Sequence, residues 1–209
     1  MKKKPTDLVS WNGWDLRTGA RAIPDAMDLF ERASPFSNAE SRYELLAVAS
    51  RGFRPPQALS TKVVSGGGEE HLDTDEFPGL RLVWSVEYRQ IAETARATQR
   101  PYAIYLLGVN PPNNAGDDEL EVFNDFYTNV HLVEVAERRH ALRAARYELV
   151  KIDKAPYQGA PRYLAVYEVD ETSASHRRHE GPPYSAGPAV WQRHSTPWRL
   201  WYRCIGSKA

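Results

Sequence analysis

The sequence predicts an α+β protein whose second half is one compact unit of order β-α-β-β-α-β. Three observations carry that expectation. Apolar runs of strand length recur at 102–109, 142–150, 162–169 and 198–205. A longer segment with helical spacing lies between the first two runs, and Pro/Gly-rich breaks separate the elements.

Tyr102–Val109 (YAIYLLGV) is almost continuously apolar, as expected of a strand covered on both faces. The run Asn110-Pro111-Pro112-Asn113-Asn114-Ala115-Gly116 then forces a loop. Asp117 and Asp118 follow it and suit a helix start, since carboxylates favour the positive end of the dipole. The helix runs to about Arg138, with Val122, Phe123, Phe126, Val130 and Val133 as its apolar stripe. Leu142–Val150 and Arg162–Val169 read as two strands joined across Pro156–Pro161. Glu171–Arg193 is a weaker, Pro-interrupted helical region broken at Gly181-Pro182-Pro183. Trp198–Ile205 closes the unit as a strand with Trp198, Leu200, Tyr202 and Cys204 on one face. This order folds most simply as a ferredoxin-like unit, an antiparallel sheet with both helices on one face. The other sheet face is rich in large apolar side chains and needs a cover, from a second copy or from the first hundred residues.

The first half is less regular. Leu80–Tyr88 alternates Leu80, Leu82, Trp84, Val86 and Tyr88 with polar residues and is a good strand. Pro24–Ala33 reads as a helix, Tyr88–Thr98 as a helix carrying Ile91 and Ala95, and Glu40–Ser50 as helix or strand. Gly66-Gly67-Gly68 is a loop. Arg42-Tyr43-Glu44-Leu45 echoes Arg146-Tyr147-Glu148-Leu149. Residues 1–98 are therefore an N-terminal extension or a degenerate second module, and 99–209 the ferredoxin-like α+β domain with a core of its own.

Composition narrows the function. Lys and Arg total 27 and Asp and Glu total 27, a balance that leaves no basic footprint for nucleic acid or an anionic membrane. Lys2-Lys3-Lys4 is a short solvated run, and no apolar stretch approaches the ~20 residues of a bilayer span. The single cysteine, Cys204, makes an intrachain disulfide impossible and fits a reducing, cytoplasmic setting; on its strand it reads as inert packing. His176, His179 and His194 lack the Cys or carboxylate spacing of a zinc site, so no metal is expected. There is no G-x-G-x-x-G, P-loop or G-x-S-x-G.

The chemistry-bearing segment is the helix. At 100° per residue, Asn124, Tyr127, His131 and Glu134 fall within roughly an 80° sector bordering the apolar stripe. A polar row there can face a cavity between helix and sheet. His131 can exchange protons near neutral pH, and Tyr127 can donate to a carbonyl or phenolate oxygen. Glu134 could orient the imidazole or bond elsewhere. Arg146 rises from a strand among apolar neighbours and needs a partner, either ligand or Glu134. Tyr105, Tyr167 and Trp201 could line the pocket or simply be core.

The string F-N-D-F-Y-x-x-V-H-x-x-E-V at 123–135, followed by A-x-R-Y-E-L and P-R-Y-L-A-V-Y-E-V, resembles the EthD-like family of the dimeric α+β-barrel superfamily. Phe126 stands where Trp is common in that family, and the match covers 102–202, about half the chain. The resemblance implies a homodimeric enzyme acting, without a cofactor, on a small apolar, aromatic or polyketide-like molecule. Cyclase, dehydratase (lyase), isomerase and cofactor-free monooxygenase chemistries all occur there. His131 and Tyr127 would be catalytic, with Asn124, Glu134, Arg146, Tyr105, Tyr167 and Trp201 binding substrate. A non-catalytic binding or assembly protein of the same fold is the alternative. Haem, bound by distant relatives, is a third reading, with His131 as axial ligand.

Overall fold

The computed structural model describes residues 7–16, 41–48, 54–64, 80–94, 99–154, 159–175 and 183–207. Eight strands dominate them: β1 (Leu8–Leu16), β2 (Ser41–Val48), β3 (Ala58–Val64), β4 (Leu80–Glu93), β5 (Ala103–Asn110), β6 (Arg143–Lys154), β7 (Tyr163–Val169) and β8 (Ser195–Ser207). Between β5 and β6 run α1 (Asp117–Phe126) and α2 (Leu132–Arg138), joined without a break by one wide turn, Tyr127–His131. Two short helices, α3 (Glu171–Ser175) and α4 (Ala189–Gln192), lie between β7 and β8. The proposed Pro24–Ala33 helix, the Gly66–Gly68 loop and His176 and His179 lie outside the described residues.

All neighbouring strands are antiparallel, and the sheet closes on itself in the order β1-β3-β2-β8-β5-β7-β6-β4. This is an α+β barrel. Read around the ring, β4-β1-β3-β2 is followed by β8-β5-β7-β6, so each half of the chain supplies four strands in the same spatial order. The two halves meet at two seams, β2 on β8 and β4 on β6.

Closure settles where the apolar sheet face goes. The interior cluster draws on all eight strands, with Trp11, Tyr43, Leu59, Trp84, Val86 and Tyr88 from the first half meeting Ile104, Tyr147, Leu164, Trp198, Leu200 and Tyr202 from the second. Of the two covers expected for this face, a second copy or the first hundred residues, the structure shows the second. The interior core is shared between the halves, while a second core outside the barrel is drawn almost wholly from 99–209. At the centre, Trp84 and Trp198 stack with ring centroids 4.5 Å apart.

Matching contacts flank that stack. A Cβ on Gly13 would lie 2.6 Å from Pro56 Cγ and 3.0 Å from Trp84 Cγ; one on Gly108 would lie 2.6 Å from Pro161 Cγ and 3.0 Å from Trp198 Cγ. Only glycine lets proline and tryptophan approach both strands so closely. The Tyr202 hydroxyl donates to the Pro56 carbonyl at 3.0 Å, and the Tyr88 hydroxyl donates to the Pro161 carbonyl at 2.8 Å.

Several local expectations are corrected. Tyr88–Thr98 does not begin as a helix: β4 continues to Glu93 because Gln90 and Ala92 pair with Tyr147 and Arg146 on β6, and tertiary pairing overrides local propensity. Glu40–Ser50 resolves to strand, as β2. The α1 cap is Gly116, with Asp117 and Asp118 inside the first turn. On the long helix, Val122, Val130 and Val133 are exposed, while Phe123, Tyr127, Leu132, Val135 and Ala136 are buried. For Val130 and Val133 the wide turn explains this; Val122 lies upstream of it, one position from buried Phe123. Leu132 N–H donates to the Tyr127 carbonyl, five residues back, which adds a residue and rotates the downstream face by about one position.

Candidate functional site

On β5, β7 and β8, alternate side chains point away from the barrel interior, and α1, α2 and α4 cover them. Tyr105, Leu107, Val109, Tyr163, Tyr167 and Trp201 pack there against Phe123, Tyr127, Leu132, Val135 and Trp191. Of the residues that the sequence singled out, this helix–sheet layer holds Tyr105, Tyr127, Tyr167 and Trp201 in its apolar core.

Arg146 anchors it. Pairing β6 between β4 and β7 turns this side chain under the helix, where it is 1% exposed. One Nη donates to Thr128 Oγ1 at 2.8 Å and to the Asn124 carbonyl at 3.3 Å, and the other donates to Asn124 Oδ1 at 2.5 Å. Its guanidinium carbon also sits 4.2 Å from the Tyr127 ring centroid and 4.3 Å from that of Tyr163. A buried cation is costly unless its donors are used and its charge is met. Here neutral acceptors and ring faces do most of that, and burial lowers the guanidinium's proton affinity. Asn124 is thus occupied in holding Arg146, at the turn just before the wide one.

The wide turn itself carries Tyr127 and His131. Tyr127 is fully buried, and its hydroxyl has no protein hydrogen-bond partner. Desolvation pushes its pKa well up despite the charge of Arg146, so it is a neutral donor at any ordinary pH. His131 is partly buried, with its ring centroid 4.6 Å from Trp191, 5.3 Å from Tyr184 and 5.9 Å from Tyr127. Burial is the main cause that pushes its pKa down to about 4, outweighing the attraction of Glu134, so the imidazole is neutral near pH 7. Its Nδ1 is buried without a protein partner.

Glu134 does not orient His131. It accepts from the Ser185 backbone N–H at 3.2 Å and from the Ser185 hydroxyl, fixing the 183–187 segment against the helix. Nor does it meet Arg146. Tyr105 stacks on Trp201 at 4.8 Å and lies 6.0 Å from Tyr167, whose buried hydroxyl also lacks a protein partner. The structure therefore brings Tyr127, His131, Arg146, Tyr105, Tyr167 and Trp201 into one layer and turns Asn124 and Glu134 to holding its parts in place.

Sequence reasoning missed Arg139. It caps the C-terminal end of α2 with its guanidinium carbon 3.9 Å from the Tyr105 ring centroid and 5.3 Å from that of Trp201. In the sequence it looks like one of several basic residues closing a helix, and only the packing aims it inward. Trp191 was also missed; it touches Phe123, Phe126, Tyr127, His131 and His194.

Among the described residues, five buried side-chain polar atoms here have no protein hydrogen-bond partner: Tyr127 Oη, Tyr167 Oη, His131 Nδ1, Arg139 Nε and Arg146 Nε. Folded proteins satisfy nearly all such groups, and each one left alone costs ~1–3 kcal/mol. Among the described residues no cluster of His, Cys, Asp or Glu could hold a metal ion. A haem would need an imidazole nitrogen facing a broad flat slot. His131 instead sits among Trp191, Tyr184, Tyr127 and Phe126, so its surroundings do not fit that group.

No family model matches the chain, and no curated protein matches it. Among solved structures it is similar to a putative chlorite dismutase, TA0507, with a TM-score of 0.55 and 9% sequence identity, covering 98% of this chain and 96% of that one. At that identity the likeness speaks for the α+β-barrel fold alone. It does not single out the EthD-like family.

Proposed function

We propose that this chain binds a small, largely apolar, planar molecule in the helix–sheet layer of its second half, and removes a proton next to a carbonyl of that molecule. The observation that carries the reading is the cluster of unpartnered polar atoms among aromatic rings, at a wide helical turn. Pockets for small molecules combine apolar walls with a few convergent polar groups in this way, and such turns recur at functional sites.

In this reading each side chain has a role. Neutral His131 acts as the base, since it is unprotonated at working pH and cannot begin as an acid. Tyr127, held protonated by burial, donates to the enolate oxygen as charge develops there. The Arg146 guanidinium against the Tyr127 ring makes that hydroxyl a stronger donor. Asn124 and Thr128 position Arg146; Tyr105 and Trp201 stack on the planar body. Cyclisation, dehydration, isomerisation and cofactor-free oxidation all begin with such a proton removal, so the EthD-like resemblance and this chemistry agree.

A binding protein without turnover is the competing reading, favoured by the low basicity of His131. Exchange of the C1 protons of 2-tetralone into deuterium oxide, followed by NMR, separates the two. Wild type should accelerate exchange, and His131→Ala should lose roughly 10²-fold, the scale of a missing general base. Binding without acceleration would leave only the binding reading. A homo-oligomer belongs to the same proposal. With the barrel interior covered, its contacts would fall on exposed Val122, Val130 and Val133, and sedimentation at micromolar concentration tests it. Among the described residues no helix is long and apolar enough to cross a membrane.

A further inference from the structure

The geometry points to a carboxylate on the bound molecule, received by the Arg139 guanidinium and the Tyr167 hydroxyl at the Tyr105–Trp201 end of the site. This rests on the small-molecule reading above and adds the charge of the ligand to it. Arg146 has both Nη groups committed to Asn124 and Thr128, so it is not the free cation. Arg139 differs. Its guanidinium carbon sits over the Tyr105 ring and near Trp201, and among the described residues it makes no side-chain hydrogen bond or ion pair and has a buried Nε without a partner. The charged group that weighs on it is Arg199, of the same sign, and its other electrostatic neighbours are Tyr105, Tyr184 and Tyr167. A half-buried cation held against ring faces, with a second cation near and no carboxylate paired with it among the described residues, calls for an anion.

The chemistry selects the anion's form. A guanidinium presents a planar fork that matches a carboxylate with two parallel hydrogen bonds. The fully buried Tyr167 hydroxyl is a neutral donor within electrostatic reach of Arg139 and Tyr105. Tyr105 and Trp201, stacked 4.8 Å apart, supply the apolar wall beside that fork. The ligand is then a planar aromatic acid, with its carboxylate toward α2 and its ring toward β5 and β8.

Three probes test this by calorimetric titration of the full chain: 1-naphthoate, its uncharged counterpart 1-naphthamide, and 1-naphthyl phosphate. Naphthoate should bind at least about 10-fold more tightly than naphthamide, the scale of one charge-assisted interaction. Arg139→Gln should reduce that preference to about threefold or less by weakening naphthoate far more than naphthamide. Should that variant fail to fold, Tyr167→Phe removes a single oxygen and should weaken naphthoate several-fold, and naphthamide less, because the bond to the anion is the stronger of the two. Equal binding of naphthoate and naphthamide by wild type overturns the charge inference and leaves the apolar site standing. A preference unchanged in both variants overturns the assignment to Arg139 and Tyr167. Tighter binding of the phosphate than of naphthoate overturns the carboxylate. Failure of all three to bind at millimolar concentration overturns the small-molecule reading together with this one.

Discussion

Cutting the link between Asn124 and Arg146 tests the organisation of the site most directly. Arg146→Met keeps a similar length but removes one bond to Thr128, two to Asn124 and the contacts with Tyr127 and Tyr163. Hydrogen bonds to a charged group contribute ~1.5–3 kcal/mol each, and a desolvated cation over a ring roughly 2 kcal/mol. Against these stands the several kcal/mol needed to keep a guanidinium dry, which the variant no longer bears. Because Asn124 Oδ1 and Thr128 Oγ1 would lose their donor, the balance falls on destabilisation by about 2–4 kcal/mol. Asn124→Ala should lose about 1–3 kcal/mol, since it takes away the shortest of these bonds. The double variant should lose clearly less than the sum, with a coupling of at least about 1 kcal/mol from urea midpoints at unchanged slope. Asn124→Asp gives Arg146 a carboxylate and should recover most of the stability that Asn124→Ala loses. A coupling below about 0.5 kcal/mol, or an Arg146→Met protein as stable as wild type, would refute the claim that this guanidinium organises the helix.

Three further outcomes follow from the same structure. Burial holds the folded pKa of His131 near about 4 against an ordinary 6.5. The unfolded chain therefore takes up this proton first, and stability falls as pH drops from about 6.5 towards 4. The slope from this one group reaches at most about 1.4 kcal/mol per pH unit; His131→Gln should flatten the curve by that component, and superimposable curves would contradict it. Gly108→Ala should destabilise by about 1–2 kcal/mol in thermal or urea unfolding, because the added methyl meets Pro161 and Trp198; an unchanged midpoint would deny the close approach. Residues 99–209 expressed alone should bind a hydrophobic dye and melt without cooperativity, since the interior faces of β5, β6, β7 and β8 lose their cover; a sharp thermal transition would show that this half can close its own core.

The sequence by itself determined the elements whose signals are local. Period-two patterns and Pro/Gly breaks placed β5, β6, β7 and β8, and a nearly continuous apolar run marked β5 as a strand covered on both faces. The helix from Asp117 to Arg138 was legible for the same reason, as was the gathering of Tyr105, Tyr127, His131, Arg146, Tyr167 and Trp201 in one layer. Alternation puts Tyr105 and Trp201 on the same side of neighbouring strands, where they stack. Even the echo of Arg42–Leu45 in Arg146–Leu149 fell on strands of equivalent rank, β2 and β6.

Tertiary structure alone decided the rest. Barrel closure depends on seams between strands more than fifty residues apart, and it decided between a second copy and the first hundred residues as the cover of the apolar face, in favour of the latter. The wide turn at Tyr127–His131 has no periodic signature. A 100° wheel assumes it away, so of the predicted stripe Phe123 and Phe126 pack inward while Val130 and Val133, at and beyond the turn, face outward. Glu134 went to Ser185 and Asn124 to Arg146 because partners across loops and strands are fixed by packing, which no spacing along one helix encodes. Arg139 shows the limit most clearly. A basic residue at a helix end has one local reading, and its place on Tyr105 exists only once β5 lies beneath that end.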